Sequence, residues 1–148
     1  MIVTFCGHAQ FQRSNEYVQK IFAFLEEKVG DQPADMYLGG YGEFDAFAYE
    51  CCKNYKEFHP QISLILITPY LPGNVQIRYN EARYDAVLYP ELENKPKRYA
   101  ITYRNRYMVE QADYVVAYVS HDWGGAYQTY RYAQRKGKEI FNLVDLKE

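Results

Sequence analysis

Met36-Tyr37-Leu38-Gly39-Gly40-Tyr41-Gly42 reads as a short strand running into a glycine turn. Phe44, Phe47, Ala48, Cys51 and Tyr55 behind it share one face of a helix that His59-Pro60 closes. Strand, glycine turn and helix form the repeating unit of a parallel sheet, and the same order stands upstream. Met1 to Cys6 is strand-like, Gly7 opens a turn, and Val18, Ile21, Phe22, Leu25 and Val29 recur at helical spacing. Ser14 and Asn15 can cap that helix, and Gly30 can stop it.

Downstream, Ile62 to Thr68 is a nearly continuous apolar run of strand length, as expected where both faces of a sheet are covered. Pro69 to Gly73 forces a loop, Val75 to Arg83 reads as polar and helical, and Asp85 to Pro90 as a fourth strand stopped by its proline. Glu91 to Arg98 is charged and loop-like. A helix from Tyr99 to Gln111 precedes a fifth strand, Tyr114 to Val119. A helix through Tyr130 and Ala133 ends at Gly137, and Glu139 to Leu143 supplies the last strand. The alternation predicts one α/β domain over residues 1–148, a Rossmann-like, open, mainly parallel sheet with helices on both faces.

The 148 residues, 48% hydrophobic and 24% charged, contain no run approaching the roughly 18 apolar residues of a membrane span. Met1 to Gly7 reads as a strand rather than an export signal, so the expected location is the cytoplasm, with no membrane partner. Cys6, Cys51 and Cys52 suit neither a disulfide framework nor a metal site, and no metal or cofactor is expected. A formal charge of −2 argues against a general nucleic-acid binder, which needs a basic face to displace counterions. The 17 tyrosines suit base stacking, an interface or half-buried strand faces.

In such sheets ligands bind beyond the carboxyl ends of the strands, where helix N-termini turn N–H groups toward an anion. Three turns belong to that edge: Gly7-His8-Ala9-Gln10, Gly39-Gly40-Tyr41-Gly42 and Trp123-Gly124-Gly125-Ala126, each read as following a strand and preceding a helix. None is a P-loop, and the first lacks the G-x-G-x-x-G pattern of dinucleotide-binding dehydrogenases. Arg104 is the first choice for a phosphate contact, because a guanidinium matches phosphate geometry. Thr68, at its strand's end, joins the expected ligand contacts. Trp123 can stack on a base or pack against a neighbour, and His121 and Asp122 can be an acid/base pair or adjacent turn residues.

Phe5-Cys6-Gly7, Leu38 to Gly42, Arg104-Asn105-Arg106-Tyr107-Met108 before Ala112-Asp113, Gly124 to Thr129 and Gly137-Lys138 occur in that order. In this the chain resembles the SLOG superfamily, which unites DprA/Smf DNA-processing domains with LOG nucleoside-monophosphate phosphoribohydrolases, and most resembles its small stand-alone YpsA-like branch. The resemblance covers nearly the whole chain. It implies a Rossmann-like fold, often dimeric, that binds nucleotides or nucleotide-derived signals such as ADP-ribose derivatives or cyclic nucleotides, as a sensor or sequestering protein related to antiviral signalling systems.

Arg104 and Met108 match the ends of the LOG Arg-Lys-x-x-Met phrase, and Gly124 and Gly125 match its glycine phrase. Arg131 stands where LOG enzymes carry a catalytic glutamate. A cation there opposes the positive charge of N-glycosidic cleavage, so no catalytic residue is expected, and Gly124 and Gly125 with Thr129 or Arg131 suit phosphate binding instead. A phosphoribohydrolase using Glu43, Asp45 or Glu50, and a DNA-processing adaptor, are the alternatives.

Overall fold

A computed structural model describes residues 1–71 and 83–147. Six strands form one sheet: β1 (Ile2–Gly7), β2 (Ala34–Leu38), β3 (Ile62–Ile67), β4 (Ala86–Leu88), β5 (Tyr114–Tyr118) and β6 (Glu139–Asn142). They lie in the order β4-β3-β2-β1-β5-β6, every neighbouring pair parallel. Four helices are described, α1 (Asn15–Lys28), α2 (Glu43–Phe58), α3 (Ala100–Gln111) and α4 (Gly125–Arg135). The architecture is the Rossmann-like sheet that the alternation of elements predicts.

Period-two alternation explains how one sheet feeds two cores. Val3 and Phe5 of β1 and Val116 of β5 pack under α1 and α2, against Ile21, Leu25, Phe44 and Phe47. Cys6 of β1 and Val115 and Ala117 of β5 turn the other way, against Val109 of α3 and Ala133 of α4. Ser14 caps α1 by accepting from the Tyr17 N–H at 3.3 Å.

Several boundaries shift. β2 begins at Ala34, because Ala34 and Asp35 pair with Ile62 and Ser63 although their own sequence carries little strand signal. β4 shrinks to Ala86–Leu88, and the helix expected from Tyr99 starts at Ala100 behind a 3-10 turn over Lys97–Tyr99. β5 and β6 each end one residue early. The stretch Val75 to Arg83, read as helical, lies outside the described residues apart from Arg83.

The connections decide where a ligand can enter. From β1 the chain winds outward through β2, β3 and β4, then returns to lay β5 on the other side of β1. Neighbouring loops at the carboxyl ends of β1 and β5 therefore diverge, and a crevice opens at this switch point.

Candidate functional site

A cavity of about 750 Å³ fills that crevice. Gly7, His8 and Gln10 line it beyond β1, Tyr41 and Asp45 beyond β2, and Arg104, Asn105 and Met108 from α3. Ser120, His121, Trp123, Gly124, Gly125, Ala126 and Thr129 close the side beyond β5. Ten of the fifteen residues singled out from the sequence thus share one wall or another of a single cavity: Gly7, His8, Gln10, Arg104, Met108, Trp123, Gly124, Gly125, Ala126 and Thr129. Gly39, Gly40, Gly42, Thr68 and Arg131 do not line it.

The three glycine turns differ in what they hold. Residues 8–14 separate Gly7 from α1, so the first turn does not lead straight into a helix as expected. That segment docks on the start of α2: Glu43 N–H donates to the Ala9 carbonyl at 2.8 Å, and Phe11 N–H donates to the Glu43 carboxylate at 2.9 Å. Gly42, the α2 N-cap with φ 90°, lies so close to this segment that a Cβ would stand 2.9 Å from Ala9 Cα. A Cβ on Gly40 would meet Leu66 Cδ1 at 2.8 Å. Protein atoms therefore account for these glycines, and α2 already carries Glu43 and Asp45 in its first turn.

The N-terminus of α4 is open. Its N-cap Gly124 has φ 92°, makes no side-chain capping bond, and no acidic residue stands in the first turn. A Cβ on Gly124 or Gly125 would meet nothing within 4 Å. The positive φ accounts for Gly124, whereas at Gly125 neither conformation nor described neighbours exclude a side chain. The first N–H groups and the positive end of the helix dipole face the cavity. Thr129 Oγ1 donates to the Gly125 carbonyl at 3.1 Å and steadies this turn.

Three aromatic rings stack beside it. His8 lies on His121 with ring centres 3.7 Å apart, and His121 lies on Trp123 at 3.8 Å. Trp123 ends the stack 66% exposed, so its outer side is available to a planar group. His8 Nε2 accepts from the Ser120 N–H at 3.0 Å, which puts the proton of the neutral ring on Nδ1. Burial, then neighbouring His121, lowers the His8 pKa, so the ring is neutral at neutral pH. His121 Nδ1 is buried with no hydrogen-bond partner among the described residues. Asp122 is exposed and does not line the cavity, so His121 joins His8 and Trp123 rather than Asp122.

Arg104 forms part of the wall, but its guanidinium is largely committed. Nη1 donates to the carbonyls of Gly39 and Ile67 at 2.8 and 2.9 Å, and Nε donates to Asn105 Oδ1 at 2.9 Å. The side chain, 3% exposed, ties α3 to the carboxyl ends of β2 and β3. Arg131, by contrast, is exposed and donates to Gln134 Oε1 at 2.6 Å. Its charge does not reach the cavity wall, which removes the ground on which the sequence set it against glycosidic cleavage. Thr68 is buried, and its Oγ1 accepts from the Tyr70 N–H at 3.1 Å to hold the turn after β3.

Asp45 is the one carboxylate on the described wall. Its Oδ2 accepts from the Tyr41 N–H at 2.9 Å, and a Cβ on Gly39 would lie 3.1 Å from Oδ2 and 3.3 Å from Arg104 Cζ, so a side chain there would make these groups give by a few tenths of an ångström. Burial pushes the Asp45 carboxyl up to about 6, against the lowering by the Tyr41 N–H and Arg104. Glu43 and Glu50, its rivals in the sequence, are bound to Phe11 N–H and Arg13. Burial and Asp45 push the Cys6 thiol up to about 12, which leaves it protonated and inert as a nucleophile.

The folded chain holds the Asp45 proton more tightly than the unfolded chain, whose carboxyl titrates near 3.8. This contribution to stability is complete below 3.8 and is lost as pH rises through about 6. Asp45→Asn, which keeps the shape without the charge, is expected to melt above the wild type at pH 8. The gap closes toward pH 4, as thermal denaturation followed by circular dichroism would show.

No protein-family model and no curated protein matches the chain. Solved structures do. DNA processing protein A from Helicobacter pylori, described for its single-stranded DNA binding mode, superposes with a TM-score of 0.64 at 19% identity, over 96% of this chain and 64% of that one. DNA processing protein A (DprA) from Streptococcus pneumoniae gives a TM-score of 0.67 at 16% identity, over 95% of this chain and 49% of that one. The structural-genomics target TM1055 gives 0.54 at 15% identity, over 94% and 71%. The chain therefore has the Rossmann-like fold these proteins share, and it spans less than two thirds of the length of either DNA processing protein. Among the described residues no helix is long and apolar enough to cross a membrane.

Proposed function

We propose that the protein binds a phosphate-bearing, nucleotide-type small molecule in the switch-point cleft. The phosphate sits on the open N-terminus of α4, and the base lies on the outer side of Trp123. The observation that carries this reading is Gly125, where a side chain would meet no described protein atom and would occupy the place of a ligand. The resemblance to SLOG domains supports a nucleotide-derived signal and a sensor or sequestering role, in which the ligand stays intact.

Trp123 is the sole tryptophan, so its fluorescence reports on the cleft alone. Titration with nucleoside monophosphates, cyclic nucleotides and ADP-ribose is expected to quench it, with mass spectrometry recovering the ligand unchanged. Release of free base from a monophosphate would instead establish the phosphoribohydrolase, with Asp45 as its carboxylate. Base stacking on an aromatic side chain contributes about 1–3 kcal/mol. Trp123→Ala is therefore expected to weaken binding roughly 5- to 150-fold by calorimetry, with little change in melting temperature because the ring is mostly exposed.

A second reading is single-stranded nucleic acid. The two DNA processing proteins favour it, and so does the carboxyl edge itself. Six of the exposed large apolar side chains, Tyr41, Tyr70, Leu71, Tyr99, Ile101 and Trp123, lie on segments at that edge. Lys95, Lys97, Arg98, Arg104 and Arg106 run through residues 95–106 without an acidic neighbour. The overall charge of −2 thus conceals a local basic segment, which weakens the expectation against nucleic acid. Binding of an oligonucleotide that falls steeply with salt, and exceeds that of mononucleotides, would select this reading.

A further inference from the structure

We propose that the cleft selects ribose over 2-deoxyribose, with Asp45 accepting hydrogen bonds from the sugar's vicinal hydroxyls beside the fixed guanidinium of Arg104. This rests on the nucleotide reading above and names the sugar that reading requires.

The strand order places β1 between β2 and β5. The cavity therefore runs from the α4 N-terminus across Gly7 and His8 to Asp45 and Arg104. Phosphate and base engage the β5 side, and the group connecting them faces the remaining wall. There Asp45 Oδ2 is held by the Tyr41 N–H, while Oδ1 has no partner among the described residues. Arg104 spends Nη1 and Nε on protein acceptors and keeps Nη2 free of partners among the described residues. The two side chains flank Gly39, yet no ion pair joins them among the described residues.

An acceptor oxygen beside a donor nitrogen matches a pair of hydroxyls, each of which can donate to one and accept from the other. An acidic residue after the second strand that takes ribose hydroxyls is a general solution in sheets of this winding. Here the side chain comes from the first turn of α2, positioned by the glycine turn before it.

Other groups facing Asp45 leave the carboxylate as the titrating partner. Cys6 from β1 and Tyr84 from the segment before β4 are both pushed up by burial, to about 12, and stay neutral. Arg104 from α3 remains a cation, although burial lowers its pKa. Asp45, which burial pushes up to about 6, is mostly ionised at pH 7.5 and mostly protonated at pH 5.

The test is a titration of Trp123 fluorescence in the full chain with AMP, GMP, CMP and UMP against their 2′-deoxy counterparts. Hydrogen bonds to a charged group set the expected scale, a ribose preference of roughly ten- to a hundredfold at pH 7.5. That preference shrinks at pH 5 and falls to near unity in Asp45→Asn. Equal affinity for the two sugars in the wild type overturns the inference and leaves the nucleotide reading standing, and this comparison needs no variant. A preference that survives both Asp45→Asn and low pH overturns the role of Asp45. Failure of every nucleotide of either sugar to bind overturns the inference and the nucleotide reading together.

Discussion

Arg104→Met is expected to cost about 2–5 kcal/mol of folding free energy, because it leaves two buried carbonyls unsatisfied at about 1–3 kcal/mol each. The methionine fills similar volume, so the loss is polar. It strands the carbonyls of Gly39 and Ile67, which share Nη1 and lie at the ends of β2 and β3. It also leaves Asp45 without the cation that opposes its burial. At this chain length 1 kcal/mol shifts the melting temperature by roughly 2–4 °C, so a fall of about 10 °C is expected at pH 8. The deficit is smaller at pH 5, where Asp45 takes up a proton and no longer needs a counter-charge. A shift of only a degree or two, or one indifferent to pH, would mean that water rather than the strand ends satisfies the guanidinium.

The role of Arg104 marks the boundary of what local sequence conveys. The helix is expected in the sequence from Tyr99 to Gln111, and Arg104 on it, near the presumed cleft, reads as a phosphate ligand because a guanidinium matches phosphate geometry. What makes it a strut are two carbonyls, 65 and 37 residues away in the chain, whose positions depend on the strand order. The order itself was not legible. The parallel winding follows from alternating strands and glycine turns, but the return of β5 to the flank of β1 is a tertiary event, and it creates the cleft.

Glycine turns that look alike in sequence show the same limit. Gly42 and Gly124 both cap helices with nearly equal φ, 90° and 92°. One abuts Ala9 and the other abuts no described atom. The backbone requirement could be read from the residue type, while the difference between a covered and an open helix N-terminus depends on the long segment of residues 8–14 folding over α2 and sparing α4. Asp45 was legible as an acidic first-turn residue. Its inward placement depends on Gly39, which leaves the space between carboxylate and guanidinium clear. Ser120 carried no signal in the sequence and Asn105 only its place in the Arg104-to-Met108 phrase, because each acts through a neighbour: the Ser120 N–H orients His8, and the Asn105 side chain holds Arg104 Nε.

The uncapped N-terminus of α4 makes Gly125→Asp the variant with the largest expected effect on binding. Nothing described lies within 4 Å of the added Cβ, and φ at Gly125 is not in the left-handed region, so the substitution meets neither a steric nor a backbone obstacle. A carboxylate in the first turn of a helix adds about 0.3–1 kcal/mol of stability through the dipole, and the variant is expected to melt at or slightly above the wild-type temperature. That carboxylate competes for the N–H groups assigned to the phosphate and repels the phosphate charge. Losing two charge-assisted hydrogen bonds, each contributing about 1.5–3 kcal/mol, lowers affinity for a nucleoside monophosphate at least about a hundredfold. Gly125→Ala adds bulk without charge and is expected to lose much less. The opposed signs of stability and binding separate a ligand site from a folding element. If calorimetry finds affinity retained in Gly125→Asp while Trp123→Ala loses it, the phosphate lies elsewhere in the cleft and the open end of α4 serves the fold alone.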